Sequence, residues 1–442
     1  MTAVTLTADG TTSVGGKAKA MVRDSVKTVI AASMVGTAIE FYDFYAYGTA
    51  AANYFPRIFF SAKDNPTVAL LMSLLTFAIA FIARPLGSLI FGHFGDRMGR
   101  KTTLVVSLMT MGVGTFLIGC LPTYSQVGVG AVAVLCLLRF IQGIGLGGEW
   151  SGAALVATEN APEDKRALYG SFPELGAPIG FFLSNGTYFV LESFNDTDAM
   201  CAWGWRVPFL LAGPLGLIVL YIRTKLSDSP VYQSMNDALE SKSAASADGQ
   251  VVSKSGMFAP LAELFHNHLK ALIISFGACV LNAVGFYTVL TYLPTYLSDT
   301  VGMDAPQSGT ITTICLVAYV FMVFGMGHIS DKFGRKKVLI GACVAFIVLT
   351  VPAFLILNTS QFWPVLLVEL AMCATLTAND GTLSSYLTET FPTSVRFTGF
   401  AFSFNLANAI FGGTAPFIAT WLIYTTGSSI APAWYMVAVA AV

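Results

Sequence analysis

A ten-residue string, Gly92-His-Phe-Gly-Asp-Arg-Met-Gly-Arg-Lys101, returns as Gly327-His-Ile-Ser-Asp-Lys-Phe-Gly-Arg-Lys336, an offset of 235 positions. Each copy follows one long apolar run and precedes another. A second motif, Glu159-x-x-Pro162-x-x-x-Arg166, returns as Glu389-x-x-Pro392-x-x-x-Arg396, an offset of 230. Two unrelated strings recurring at nearly one offset mark a duplicated chain. An even number of apolar runs separates the copies, so the halves are parallel repeats. A charged, glycine-punctuated loop between membrane-length runs, once per half, describes a two-fold repeated membrane transporter.

Composition supports lipid as the solvent. Of 442 residues, 55% are hydrophobic and 11% are charged, where a soluble domain carries about 25% charged. Mean hydropathy is +0.68. Twelve apolar segments are read at 27–52, 67–92, 102–121, 127–157, 166–192, 206–224, 269–297, 307–329, 338–357, 362–387, 396–424 and 428–442. All are assigned as helices, because lipid-facing backbone must satisfy its hydrogen bonds internally. The expected fold is an all-α membrane protein with twelve transmembrane helices in two pseudosymmetric six-helix bundles. Residues 1–26 form an N-terminal tail, 27–224 the first bundle, 225–268 a linker and 269–442 the second bundle. The Ser241–Gly256 part of the linker reads as flexible. The last segment is short of the roughly 20 residues that cross a bilayer and reads as a trimmed C-terminus. The polar start up to Lys27 lacks the apolar core and cleavage site of a signal peptide.

Basic residues fix the expected orientation. Loops on the N-terminal side carry fifteen, among them Arg97, Arg100, Lys101, Arg166, Arg223, Lys242, Lys254, Arg335 and Arg396, against Arg57, Lys63 and Arg206 opposite. Both termini are therefore expected in the cytoplasm of a multi-pass plasma-membrane protein. Net charge is −1, six of seven cysteines lie inside apolar runs, and His266 and His268 stand two apart. No disulfide framework, metal site or cofactor is expected.

Charge inside a span is expensive and usually functional. In the first segment Gly36, Glu40, Asp43 and Tyr47 follow i, i+4, i+7, i+11 spacing, which puts two carboxylates and a phenol on one helical face. A partly desolvated carboxylate there can take up and release a proton as its surroundings change; the alternative is a structural ion pair. The cation expected to answer it is Arg139 in the fourth segment, whose planar fork suits a carboxylate of protein or substrate. Gly143 and Gly147 make a face for close helix approach, while Gln142 and Glu149 share a stripe. Arg84, just before Pro85, reads as neutralising the first segment or capping backbone freed by the proline. Asp43, Glu40 and Arg139 are the candidates for proton coupling. Arg139, Gln142, Tyr42, Tyr47, Glu149, Asn282, Tyr287 and Asn405 are the candidates for substrate contact. Glu174, Glu369 and Asp380 complete the intramembrane acids.

In the repeated loops, Asp96 and Asp331 can cap a neighbouring helix N-terminus or pair with the arginines of the Glu-x-x-Pro-x-x-x-Arg motifs. Gly99 and Gly334 permit a tight turn. Such a cluster can latch one conformation.

The paired decapeptides match the loop signature of the major facilitator superfamily. Arg139-x-x-Gln-Gly-x-x-x-Gly-Gly-Glu-Trp150, Glu40-Phe-Tyr-Asp-Phe44, Ala83-Arg-Pro-Leu-Gly87 and Trp203-Gly-Trp-Arg-Val-Pro-Phe209 together resemble its metabolite:proton symporter family, from about 27 to 440. The resemblance implies two bundles around a central cavity, alternating access, and uptake of organic acids such as shikimate, 2-oxoglutarate and citrate, or of zwitterions such as proline and betaine, with protons. It places Asp43 and Arg139 at the protonation switch of similar sugar:proton porters. It also implies an inner gate of Asp96, Arg97, Arg100, Glu159, Arg166, Asp331, Arg335, Glu389 and Arg396. The stretch Gly176-Ala-Pro-Ile-Gly-Phe-Phe182 lacks the Gly-Pro and Gly-Gly pairs that drug antiporters carry there, which lowers an efflux reading. A transporter-like sensor would bear a signalling appendage, and an enzyme would show a nucleophile constellation; neither pattern is present. The expectation is a monomeric importer of a small polar metabolite, most simply an organic anion, driven by the proton gradient. Its partners are substrate, protons and lipid, with no nucleic acid.

Overall fold

The computed structural model describes residues 26–60, 65–225, 228–245 and 259–441. The expected N-terminal tail up to residue 25, Lys63 and linker residues 246–258 with Lys254 lie outside them. The spans are α1 (Val26–Asn53), α2 (Pro66–Met98), α3 (Arg100–Gly119), α4 (Val129–Glu159), α5 (Gly176–Phe194) and α6 (Arg206–Thr224) in the first bundle. The second holds α7 (Leu269–Phe286), α8 (Ala305–Phe333), α9 (Arg335–Leu357), α10 (Phe362–Thr390), α11 (Arg396–Ala407) and α12 (Ala431–Ala441). Beyond α7 and α11 the chain continues helically to Thr300 and Thr426, each through a widened π turn, Tyr287–Tyr292 and Asn408–Gly412. Among the described residues, nine helices are long and apolar enough to cross a membrane. The others run beside them; α1 has 28 residues and carries Glu40 and Asp43 on its inner face.

Duplication is visible in the packing. In the first bundle α2 and α3 pack on α4; in the second, α8 and α9 pack on α10. Between bundles, α2 meets α11, and α8 meets the short helix Arg166–Gly170. The α2–α4 seam is close because it is built of small residues: a Cβ on Gly143 would stand 2.6 Å from the Ala80 carbonyl oxygen, and one on Gly147 would strike Arg84 backbone.

Three expectations need correction. The repeated decapeptide is almost wholly helical, not a loop. α2 and α8 run on through it, and α3 and α9 begin one residue later. Only Gly99 (φ 109°) and Gly334 (φ 94°) leave the helix, in a region that L side chains rarely adopt. The fifth segment starts at 166 but is not one continuous helix. Residues there form Arg166–Gly170 and a 3₁₀ turn, Phe172–Leu175, before α5 begins at Gly176; Pro173, lacking an N–H, sits where a continuous helix would need one. The Ser241–Gly256 part of the linker, read as flexible, begins inside a helix. The linker includes the helices Pro230–Ala245, which takes in part of Ser241–Gly256 and Lys242, and Ala259–Asn267.

Candidate functional site

The inner face of α1 turns toward α4, and there the first cluster forms. Asp43 and Arg139 are buried, with Arg139 Nη1 3.9 Å from Asp43 Oδ2. Gln142, one turn beyond Arg139, stands between them. Its Oε1 accepts from Arg139 Nη1 at 2.6 Å, and its Nε2 donates to Asp43 Oδ2 and to Thr115 Oγ1, the latter at 2.7 Å. The guanidinium also lies over the Tyr47 ring, Cζ 3.9 Å from the centroid, and 5.3 Å from that of Phe77. A ring face attracts a cation. Tyr47 is held by a 2.6 Å hydrogen bond with Thr76. Asp43 Oδ1 and Arg139 Nε and Nη2 are buried without a hydrogen-bond partner in the protein. The cluster thus holds a carboxylate and a guanidinium close together with capacity to spare on both.

The remaining candidates divide. Glu40 pairs with Arg84 at 3.1 Å, so α2 neutralises this carboxylate, as the structural reading of Arg84 has it. Glu149 does not face the Asp43 cluster: Arg223 grips both its oxygens in a forked pair, with Nη1 to Oε2 at 2.8 Å, and also donates to the Leu104 carbonyl at 3.0 Å. Arg223, counted with the loop cations by sequence, is buried inside α6. Tyr42 points into its own bundle, its hydroxyl donating to the Pro208 carbonyl at 2.8 Å. Asn405 donates to the Gly147 carbonyl at 2.9 Å and so fastens α11 to α4. Tyr287 lies between bundles in an aromatic group with Phe44, Phe81 and Phe286. Asn282 donates to Asp380 Oδ1 at 2.6 Å, and Tyr319 donates to Oδ2 at 2.6 Å. Glu369 lies apart in the core of the second bundle, buried on α10.

At the end of the bundles that carries the repeated motifs, the two halves clamp each other. Asp96, at the end of α2, accepts from Phe397 N and Thr398 N at 2.9 Å each and from Thr398 Oγ1 at 2.7 Å. It thereby caps α11 of the opposite bundle, where orphan N–H groups and the helix dipole favour an anion. Asp331 does the same in reverse, accepting from Ala167 N and Leu168 N at 2.9 Å each at the start of Arg166–Gly170. Arg100 binds Asp96 at 2.6 Å, and Arg335 binds Asp331 at 2.8 Å. Glu159 takes Arg396 at 2.9 Å and Arg100 at 3.6 Å. Glu389 takes Arg335 at 3.3 Å and Arg166 at 3.8 Å. The two clusters follow one plan but differ in setting. Glu159 is 1% exposed at its side chain and Glu389 36%, so the first pairs are desolvated and the second screened.

Sequence reasoning missed a third layer here, because it lies in what reads as a connecting segment. Asp228 Oδ1 accepts from Lys101 N at 2.9 Å, supplying the cap that Gly99 has no side chain to give to α3. The Ser229 hydroxyl donates to Glu159 Oε2. Tyr232 donates to the Arg97 carbonyl at 2.9 Å, and its ring faces the Arg100 guanidinium 5.3 Å away. Arg97 therefore joins the gate through its backbone. Burial, with the Asp228 charge beside it, pushes the Tyr232 hydroxyl above its usual range, which keeps it a donor.

Residues 28–442 match the family described as Sugar (and other) transporter. The Inner membrane metabolite transport protein YhjE of Escherichia coli K12 is 43% identical over 407 residues, which is 90% of this chain and 88% of that protein. The Glycine betaine/proline/ectoine/pipecolic acid transporter OusA of Dickeya dadantii is 33% identical over 417 residues, 94% of this chain and 81% of its own length. Among solved structures, the proton:xylose symporter XylE of the major facilitator superfamily, bound to 6-bromo-6-deoxy-D-glucose, superposes with a TM-score of 0.74 at 19% identity, covering 94% of each chain.

Proposed function

Because this chain belongs to the sugar (and other) transporter family and has the major facilitator fold, we propose that it is a symporter coupling inward proton flow to uptake of a small polar metabolite, an organic anion first. It is a multi-pass membrane transporter and not an enzyme. The observation that carries the coupling is the buried Asp43–Gln142–Arg139 cluster. Protonation of Asp43 turns an acceptor-only carboxylate into a donor. The pull on Gln142 and Arg139 weakens, and the guanidinium is released to bind a substrate carboxylate bidentately. Protonation alone leaves the guanidinium unpaired in the pocket, and the substrate carboxylate then neutralises it, so rocking of one bundle on the other costs least with proton and substrate both bound. A ligand shifts such an equilibrium only by its differential affinity for the two states; proton and substrate together supply it.

A zwitterion is the second reading. Relatives at 32–33% identity are named as proline or betaine transporters, and the buried acids outnumber the buried arginines, giving a cationic group partners. Both termini are placed in the cytoplasm by the Lys/Arg bias, with the clamped motif end as the cytoplasmic gate. The protein works as a monomer and needs no cofactor beyond the proton gradient. Counterflow and gradient-driven uptake in proteoliposomes, using labelled shikimate, 2-oxoglutarate, citrate, proline and glycine betaine, test the proposal. Accumulation of one of these under an inside-alkaline gradient supports it. A chain that extrudes substrate in exchange for protons is an antiporter, and the proposal fails.

A further inference from the structure

Rings from both bundles converge midway along the spans, next to a carboxylate with an oxygen to spare. On α1, Phe44 stands one turn from Glu40; on α2, Phe81 stands one turn from Arg84. The two helices match these tiers. Glu40 pairs with Arg84 at 3.1 Å, and the Phe44 and Phe81 centroids lie 5.8 Å apart. Tyr287, just beyond α7 in the other bundle, completes a triangle, 5.9 Å from Phe81 and 6.5 Å from Phe44. The three ring planes are steep to one another, at 79°, 66° and 61°. Beside them Phe41 and Phe286 meet across the bundles, 6.3 Å apart. Phe41, Phe44 and Phe286 stay partly exposed, as side chains beside an open space between the bundles do. The backbone is shaped to hold this group. Tyr287 opens one widened π turn and Gly412 ends the other. A Cβ on Gly412 would stand 2.7 Å from the Tyr287 ring, so glycine at 412 leaves Tyr287 its place. Single π turns inside helices occur frequently at functional sites.

A purely hydrophobic seal needs no charge nearby, yet here charge stands on two sides. Glu40 is 2% exposed, and its Oε2 is buried without a hydrogen-bond partner in the protein. Arg84 Cζ already lies 5.5 Å from the Phe81 centroid. On the other side Phe77 is shared, 4.9 Å from Phe44, 5.5 Å from Phe81 and 5.3 Å from Arg139 Cζ. Both arginines are matched by acids, Glu40 and Asp43, so the rings between them are not left in a net positive field. A ring face attracts a cation within about 6 Å of its centroid, and more strongly once water is gone. Rings cannot satisfy the three N–H donors of a primary ammonium, whereas a fully methylated ammonium has none to satisfy. We propose that Phe44, Phe81 and Tyr287 form a cage for a quaternary ammonium, with Glu40 Oε2 as its counter-charge. The substrate is then a short zwitterion whose carboxylate meets Arg139 beyond Phe77, which rests on the zwitterion form of the symporter reading. The cage takes two rings from one bundle and one from the other. Loading it therefore favours the state in which the bundles meet there.

Calorimetric binding to the purified full chain in lipid nanodiscs separates charge from shape. The probes are glycine betaine and tert-butylacetate, which has the same outline with carbon in place of the charged nitrogen. Glycine betaine should bind about tenfold or more tightly than tert-butylacetate. Phe44→Leu and Phe81→Leu should each weaken glycine betaine about tenfold and tert-butylacetate less than about twofold. Phe44→Tyr, which keeps a ring face, should bind as the wild type does. Equal or tighter binding of tert-butylacetate overturns the cage, as does a Phe44→Leu loss shared equally by both probes. Absence of glycine betaine binding overturns it too. In each of those cases, proton-driven uptake of another metabolite leaves the symporter reading standing. Ring-dependent glycine betaine binding with uptake that ignores a proton gradient would instead remove the symporter reading and keep the cage.

Discussion

Gln142 separates Asp43 from Arg139: the carboxylate and the guanidinium are 3.9 Å apart and communicate through one amide side chain bonded to both. This bridge makes the amide part of the switch. Gln142→Leu keeps the volume roughly but removes donor and acceptor, leaving two buried charges less supported, at about 1–3 kcal/mol each. Transport should fall at least tenfold while the protein still reaches the membrane. Gln142→Glu should restore hydrogen bonding to Arg139 yet repel Asp43. Initial-rate uptake for both variants, normalised to surface expression, is the check.

Glu149 and Arg223 form a buried pair joined by two hydrogen bonds. Removing one partner of a buried pair typically costs about 3–5 kcal/mol, because the other charge is stranded. Arg223→Ala should therefore lower the melting temperature of the solubilised protein markedly, and Glu149→Gln less so. If Glu149 contacted substrate instead, Glu149→Gln would change the apparent KM and leave melting untouched. Thermal melting beside KM separates the two.

Asp96 accepts two backbone N–H groups of α11 and a hydroxyl, besides binding Arg100. Hydrogen bonds to a charged group contribute about 1.5–3 kcal/mol, enough to shift a two-state population about tenfold or more. Asp96→Ala should open the motif end, seen as faster alkylation of a cysteine placed at Thr158, whose hydroxyl meets Thr388 across the bundles at 2.9 Å. Asp331→Ala should act in the same direction. Unchanged alkylation in Asp96→Ala contradicts the clamp.

Tyr232 ties the Pro230–Ala245 helix to the gate by one hydrogen bond and one ring contact. Tyr232→Phe keeps the ring and loses the bond to the Arg97 carbonyl, a change of about 0.5–1.5 kcal/mol. Tyr232→Ala loses both. The same alkylation assay should rank wild type, Tyr232→Phe and Tyr232→Ala in rising order.

The fold was legible because lipid leaves few choices: apolar length sets the spans, and paired motifs reveal the duplication. The Asp43 face and the Gly143–Gly147 seam follow from helical spacing alone. What spacing cannot supply is the rotation of each helix about its axis. Tyr42 is one residue from Phe41 yet turns to Pro208 in its own bundle, while Phe41 meets Phe286 of the other. Arg223 looks like a loop cation because it ends an apolar run, but the close approach at Gly36, where a Cβ would meet its guanidinium, draws it inward to Glu149. Asp228-Ser229-Pro230 and the Val231, Met235, Leu239 spacing mark a helix start in the sequence, but only three-dimensional proximity to Lys101, Glu159 and Arg97 reveals the part of Asp228, Ser229 and Tyr232 in the gate.

The proton switch at Asp43 is tested most directly by Asp43→Asn in proteoliposomes, with whichever labelled metabolite the wild type accumulates. An amide cannot cycle a proton, so the variant should lose accumulation against a gradient while still exchanging internal for external substrate, at a rate independent of pH. A variant that concentrates substrate as the wild type does would contradict the account.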